Sequence, residues 1–311
     1  MIMHPADQAL AIRALKNAAP YIRMYKGKTF VVKAGGGVFA DLASTRVLME
    51  QIAILHYFGV RVVFVHGGGP QLTEIASALG VPTRMVEGRR VTDQQSIDVT
   101  SMVLNGLINT RVLGICRELN IEAVGVSGVD AGLVRAHRRP PVRVHSGEMV
   151  DYGLVGDIDG IDPAVLGKLL DNGLMPVVSP LSADAAGTLL NINADTVAAA
   201  IGAALGAEKL ILCTGAPGIL ASLTDPGSLI SYMDLQGLKR LRDEGHITDG
   251  MLPKARAIEE AIRGGVRRVH VISYQAPEGI LGEVFTNEGT GTMIVADIKA
   301  LSPAEQHSSA G

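Results

Sequence analysis

The chain has 311 residues, enough for one large domain or two ordinary ones. Glycine supplies 37 of them with no three-residue period, and proline only 14, which excludes a collagen-like or low-complexity chain. Hydrophobic residues at 47%, charged residues at 19% and a formal net charge of −3 describe a globular chain with a sizeable core and give no sign of a nucleic-acid partner.

The first segment, 6–24, places Ala11, Leu15, Ala18 and Ile22 at helical spacing. It predicts an amphipathic helix ahead of the sheet, packed on its own domain or docked on another subunit. Short runs rich in Val and Ile then alternate with helical patterns. Strands are predicted at 29–33, 60–65, 121–126, 176–179, 208–213 and 266–272, and helices near 44–58, 70–79, 94–119, 163–172, 194–206 and 253–263. Strands apolar on both faces and separated by helices indicate an α/β fold, an open and mainly parallel sheet sandwiched by helices. A boundary is expected near 183–190, dividing 28–186 from 187–298. Residues 299–311 are small and polar and read as a disordered tail.

No apolar stretch runs for about 18 residues before a charge or glycine interrupts it, so no membrane span is expected. The opening MIMHPADQ lacks the basic start and apolar run of a secretory signal. Cys116 and Cys213 lie in apolar segments and read as buried thiols in a reducing compartment, so a cytoplasmic location is expected.

Three predicted strands end in glycine turns: 35–37 (GGG), 67–69 (GGG) and 215–218 (GAPG). In open α/β sheets ligands bind outside the carboxyl ends of the strands, so these turns should share one face. The first follows Lys33. A lysine closing an apolar strand is costly to bury without a partner, and three glycines after it let backbone N–H groups approach an anion. The loose dinucleotide pattern Gly35, Gly37, Ala40 lacks the acidic residue required after the second strand, where His66 stands. A Walker loop is absent. The HGGG at 66–69 lacks the G-x-S-x-G elbow of a serine hydrolase.

Further along, 191–195 (NINAD) opens a helix. Asn191 offers a donor and an acceptor to an amide or carboxylate, and Asp195 either stabilises the helix start or orients neighbouring ammonium groups. Lys254 lies in the first turn of a helix, electrostatically unfavourable for a lysine and so suggestive of function. One of the two arginines in 88–92 (GRRVT) is suited to clamp a carboxylate.

Taken in this order, the elements resemble the amino-acid kinase superfamily and, within it, the N-acetylglutamate kinase family. The resemblance runs from about Lys28 to Val295 and rests on KxGG at 33–36, HGGG at 66–69, GxRVT at 88–92, VGD at 155–157, NINAD at 191–195, DGMxxK at 249–254 and EGxGT at 288–292. It implies ATP-dependent phosphorylation of the side-chain carboxylate of N-acetyl-L-glutamate, in arginine biosynthesis. The N-terminal half would hold the amino-acid substrate and the C-terminal half the nucleotide. It further implies Lys33 and Lys254 as catalytic ammonium groups held by Asp195, with Gly67, Gly68, Arg90 and Asn191 on the substrate. Gly35, Gly36, Thr214, Gly215, Gly250 and Met251 would serve the nucleotide. Mg²⁺ would bridge the ATP phosphates with few direct protein ligands, and no protein metal site is expected.

The helix ending at 20–22 (PYI) resembles that of arginine-inhibited hexameric members, which implies a homo-oligomer, dimer or hexamer. There, Tyr21, His270, Glu288 and Gly289 would face L-arginine. A sister kinase on aminoadipate or aspartate, or a non-catalytic arginine-sensing domain, is the alternative. Retention of Lys33, Lys254 and Asp195 argues against the silent domain. Three positions depart from the family pattern: Gly215 stands where an Asp is usual, the first turn reads KAGGG in place of KxGGNAM, and 273–279 (SYQAPEG) replaces a DGR-type stretch.

Overall fold

A computed structural model of the chain describes residues 4–300, apart from 145, 223, 224, 226, 248, 249, 287 and 288. The expected tail at 301–311 lies outside the described residues. The first half runs α1 (Pro5–Tyr25), β1 (Thr29–Ala34), α2 (Leu42–Tyr57), β2 (Arg61–His66), α3 (Gly69–Ala78), β3 (Arg84–Val86), β4 (Arg89–Val91), α4 (Gln94–Ser101), α5 (Asn109–Glu118) and β5 (Ala123–Ser127). It continues through β6 (Val134–Arg138), β7 (Val142–Arg143), β8 (Met149–Val150), β9 (Gly156–Ile161), α6 (Ala164–Asp171), β10 (Met175–Ser179), β11 (Leu181–Ala183) and β12 (Leu189–Asn191). The remainder is α7 (Ala194–Ala204), β13 (Lys209–Thr214), β14 (Tyr232–Asp234), α8 (Leu235–Asp243), α9 (Leu252–Arg263), β15 (Arg268–Ser273), α10 (Gly279–Phe285) and β16 (Thr292–Val295).

The six apolar runs form the core of one eight-stranded sheet, ordered β14-β16-β15-β13-β1-β2-β10-β5. Its pairings are parallel except β15 with β16. Strand alternation sorts the side chains onto two faces. Phe30, Val32, Ala34, Phe64, Ile211 and Ile272 pack under α2, α3, α4, α5 and α10. Val31, Val65, Val178, Leu210, Leu212 and Val271 pack under α6, α7, α8 and α9. The two halves of the chain share this sheet, because β1 pairs with β13 from Phe30↔Lys209 to Ala34↔Cys213. The 183–190 segment is a hairpin turn between β11 and β12, which pair antiparallel.

Between α4 and α5 the helix continues as a π-helical turn over Met102–Ile108, so the predicted 94–119 helix is one rod. By length and composition Gln94–Glu118 is apolar enough to cross a membrane, although the sequence reading found no such stretch. Half of that stretch is buried inside the fold, with Val103, Leu104, Ile108, Val112 and Cys116 against the sheet. It is a core helix. Both cysteines are free and buried, and burial pushes both thiols up to about 12.

Candidate active site

Lys33 shares the parity of Val31, so its side chain leaves β1 on the face covered by α7 and α9. There its Nζ stands 2.8 Å from Asp195 Oδ1. Lys254 Nζ, in the first turn of α9, donates to the same carboxylate at 3.0 and 2.9 Å. Asn193 caps α7, accepting from the N–H groups of Asp195 and Thr196. That leaves the Asp195 carboxylate free for the two lysines, so it does not serve as the helix cap.

All three residues are buried. Burial raises the Asp195 pKa, but the charges of Lys33 and then Lys254 outweigh it and hold the carboxyl at about 2. Burial, then the like charge of Lys33, lowers the pKa of Lys254 against the pull of Asp195. Two ammonium groups on one carboxylate leave one net positive charge, in a place where water cannot screen it. That surplus is what an incoming polyanion would find.

The three glycine turns converge beside this triad. The Gly67 N–H donates to the Ala34 carbonyl at 2.9 Å, and the Gly35 N–H to the Cys213 carbonyl at 3.4 Å. Gln71 Nε2 donates to the Gly36 carbonyl at 2.9 Å, tying the first turn to α3. A Cβ on Gly36 would lie 2.5 Å from Pro70 Cδ and 3.0 Å from the Gly69 nitrogen. One on Gly68 would lie 2.5 Å from Ile108 Cδ1. These two positions require glycine through close approach, and Gly68 adopts extended φ of −176°. Thr214 ends β13, and its hydroxyl accepts from the Ala216 N–H at 3.0 Å, folding the third turn back on itself. Met251 immediately precedes α9, and the space beside Gly250 is open.

Arg90 lies on β4. Its guanidinium donates to Thr83 Oγ1 at 2.9 Å, Thr73 Oγ1 at 2.7 Å and the Gly69 carbonyl at 3.3 Å, with no carboxylate partner among the described residues. It therefore brings a positive charge beside the second glycine turn. Asn191, on β12, donates to Thr92 Oγ1 at 3.4 Å. Thr92 stands two residues from Arg90, so both sequence candidates for substrate contact border one wall.

His66 points to the opposite face. Its Nε2 meets Asn109 Nδ2 at 3.2 Å, its Nδ1 lies 3.2 Å from the Gly67 carbonyl, and the ring is fully buried. Burial drives its pKa from 6.5 down to about 4. The unfolded chain therefore holds the extra proton between pH 6.5 and 4, and stability falls as pH is lowered through that window, by up to about 3 kcal/mol. Urea midpoints at pH 7 and 4.5 should show this loss, and His66→Gln should shrink it, leaving the share of His270, whose pKa burial also lowers to about 4. An equal slope in both proteins would remove His66 as its source.

The candidates for an effector gather elsewhere. His270 is buried on the α1 and α10 face, with Lys209 Nζ 2.9 Å from its Nε2 and Glu283 Oε1 2.6 Å from its Nδ1. Glu283 also accepts from the N–H groups of Thr290 at 2.6 Å and Gly291 at 3.1 Å. A Cβ on Gly289 would meet Glu283 Oε2 at 3.0 Å. Burial lowers the pKa of both Lys209 and His270. The Lys209 ammonium lies 5.2 Å from the ring centroid of Tyr25, which brings the end of α1 onto this chain of charges. Tyr21 is half-buried against the same core, and Glu288 lies outside the described residues. Sequence reading missed Lys209 and Glu283. Their signal was a charge inside each of two apolar segments, 208–213 and 279–285.

The chain matches the Amino acid kinase family model over residues 28–273. An acetylglutamate kinase from Myxococcus xanthus is 46% identical over 296 residues, covering 94% of this chain and 96% of that protein. Another from Archaeoglobus fulgidus is 40% identical, covering 91% of this chain and 98% of its own. Among solved structures, the N-acetylglutamate synthase from Neisseria gonorrhoeae complexed with coenzyme A and N-acetyl-glutamate aligns with a TM-score of 0.80 at 26% identity, over 95% of this chain and 67% of that one. Carbamate kinase from Giardia lamblia bound to AMP-PNP has the same fold, with a TM-score of 0.61 at 20% identity over 87% of this chain and 99% of its own. The family model spans most of the sheet and all three residues of the buried triad, and the chain belongs to the amino acid kinase family.

Proposed function

We propose that the chain phosphorylates the side-chain carboxylate of N-acetyl-L-glutamate with ATP, in arginine biosynthesis. The observation that carries this reading is the buried Lys33–Asp195–Lys254 triad, with its surplus positive charge at the junction of the glycine turns. A carboxylate oxygen forms a bond to the γ-phosphorus, the bond from that phosphorus to the β,γ-bridging oxygen breaks, and ADP leaves with the electron pair. The carboxylate is already ionised at neutral pH, so no general base is required. The difficulty is bringing one anion to another, and catalysis is positioning and charge stabilisation.

Lys33 and Lys254 approach the transferring group from two elements, and Asp195 fixes both. The backbone N–H of Gly36 serves a phosphoryl oxygen and that of Gly68 the accepting carboxylate, while Gly35 and Gly67, whose N–H groups hold the Cys213 and Ala34 carbonyls, shape the turns around them. Arg90 grips the α-carboxylate and Asn191 the acetamido group. Thr214, Gly215, Gly250 and Met251 border the nucleotide, so the substrate lobe is 28–186 and the nucleotide lobe 187–298. Magnesium belongs to the ATP substrate. Asp195 is committed to its lysines and does not serve as a magnesium ligand in this reading.

An assay of ADP release with N-acetylglutamate, glutamate and aspartate tests the reading. Turnover is expected with N-acetylglutamate, and no ADP with any substrate would overturn it. A homo-oligomer, dimer or hexamer, is supported by α1, where Leu10 and Leu15 are 63% and 59% exposed. The charges beneath the end of that helix support L-arginine as an effector. Arginine titration should inhibit turnover and change sedimentation; neither effect would remove that role.

A further inference from the structure

Tyr274 brings the first and third glycine turns into contact with one side chain. It follows β15 directly, and its N–H donates to the Thr214 carbonyl at 2.9 Å, which seats it beside the end of β13. From there the ring crosses the end of β13 toward the turn after β1. A Cβ on Gly37 would stand 2.6 Å from the Tyr274 hydroxyl oxygen and 3.2 Å from Cζ; one on Gly215 would stand 3.8 Å from the same oxygen. Neither glycine has a positive φ, so the backbone does not demand glycine at either place. At Gly37 the ring does, because it lies where a side chain would be; at Gly215 a Cβ would rest in ordinary van der Waals contact with it. Its body packs against the core, while the residue as a whole is half-buried. Two of the sequence departures, Gly215 and the third glycine of KAGGG, thus meet the third, the stretch 273–279, at one phenol.

The hydroxyl therefore stands against Gly37 of the first turn and beside a third turn, 215–218, that carries no carboxylate. A phenol is neutral at pH 7 and a donor, so it can approach a polyanion without repulsion. We propose that Tyr274 positions the nucleotide, its hydroxyl donating a hydrogen bond to a phosphate oxygen of ATP seated between the two turns. This rests on the phosphoryl-transfer reading above.

Tyr274→Phe removes the donor and keeps the ring. The KM for ATP should rise about tenfold, as for loss of a hydrogen bond to a charged group. The KM for N-acetylglutamate and the thermal midpoint should stay unchanged. Gly37→Ala should displace the hydroxyl and raise the KM for ATP as well, adding little in the Tyr274→Phe background. An active Tyr274→Phe enzyme whose KM for ATP stays within twofold of the parent, or rises together with that for N-acetylglutamate, overturns the assignment. A parent enzyme that forms no ADP fails the activity reading instead. In that case calorimetry of ATP binding to parent and Tyr274→Phe still decides the role of the tyrosine, and equal affinities would refute it.

Discussion

Replacing Lys254 by alanine is expected to lower kcat on the order of 10³-fold while the protein stays folded. The two halves of this expectation come from the same charge count. In the parent, Asp195 faces Lys33 and Lys254 within 3.0 Å. Removing Lys254 leaves one carboxylate and one ammonium, a balanced buried pair, so stability should change by only about 1 kcal/mol. What disappears is the surplus charge, and with it the stabilisation of the transferring phosphoryl group. ADP release and thermal unfolding on the same preparation check both halves. Turnover within tenfold of the parent would contradict the assigned role, and so would an unfolded variant, because the loss would then be structural.

Asp195→Ala is expected to behave in the opposite way, failing first in stability. It strands two ammonium groups close together in a buried site with no counter-charge. Breaking a buried ion pair from one side costs about 3–5 kcal/mol, a large fraction of the roughly 5–15 kcal/mol that holds a domain together. The pH dependence has a definite sign. In the parent, the folded pKa of Asp195 is about 2 against 3.8 unfolded, so its contribution is complete above 3.8 and is lost as pH falls toward 2. In Asp195→Ala, Lys254 loses the carboxylate that opposes burial and the Lys33 charge, its pKa falls further, the unfolded chain binds more protons, and stability should recover as pH rises toward that of a free lysine. Urea midpoints at pH 7 and pH 10 measure this. A variant as stable as the parent at pH 7 would mean that the lysines move apart when Asp195 is lost.

Much of this was legible in the sequence. The six strands of the main sheet announced themselves because both faces are apolar, and each forms near its expected bounds. Lys33 was conspicuous as a charge at the end of such a strand, and Lys254 as a base at the wrong end of a helix. Parity alone sends Lys33 toward α7 and α9. That it meets Asp195 there is a contact over 162 positions, which no local spacing carries; it came from resemblance. The sheet formed by β12, β11, β6 and β9 was missed for a different reason. Strands β11 and β12 have three residues each, β9 (GDIDGI) interleaves aspartates and glycines, and in β6 Val134 and Ala136 alternate with Arg135 and His137, so apolar density is low. Strands β14 and β16 escaped for their brevity. Tyr274 stood out only as part of the departing 273–279 stretch, because the turns it touches follow strands separated in sequence and adjacent only in the sheet.

The pairing of β1 with β13 near the middle of an eight-stranded sheet has a mechanical consequence. Five consecutive residue pairs lock the two halves together along this seam, so any opening of one half against the other must turn about it. Atoms near a pivot travel least. Lys33 projects from the seam itself, and Asp195 and Lys254 lie within 3.0 Å of one another beside it. Arg90, on the outlying β3–β4 ribbon, sits farther out on the lever. A rocking motion about this seam would therefore sweep Arg90 through a large arc while the buried triad stays almost still.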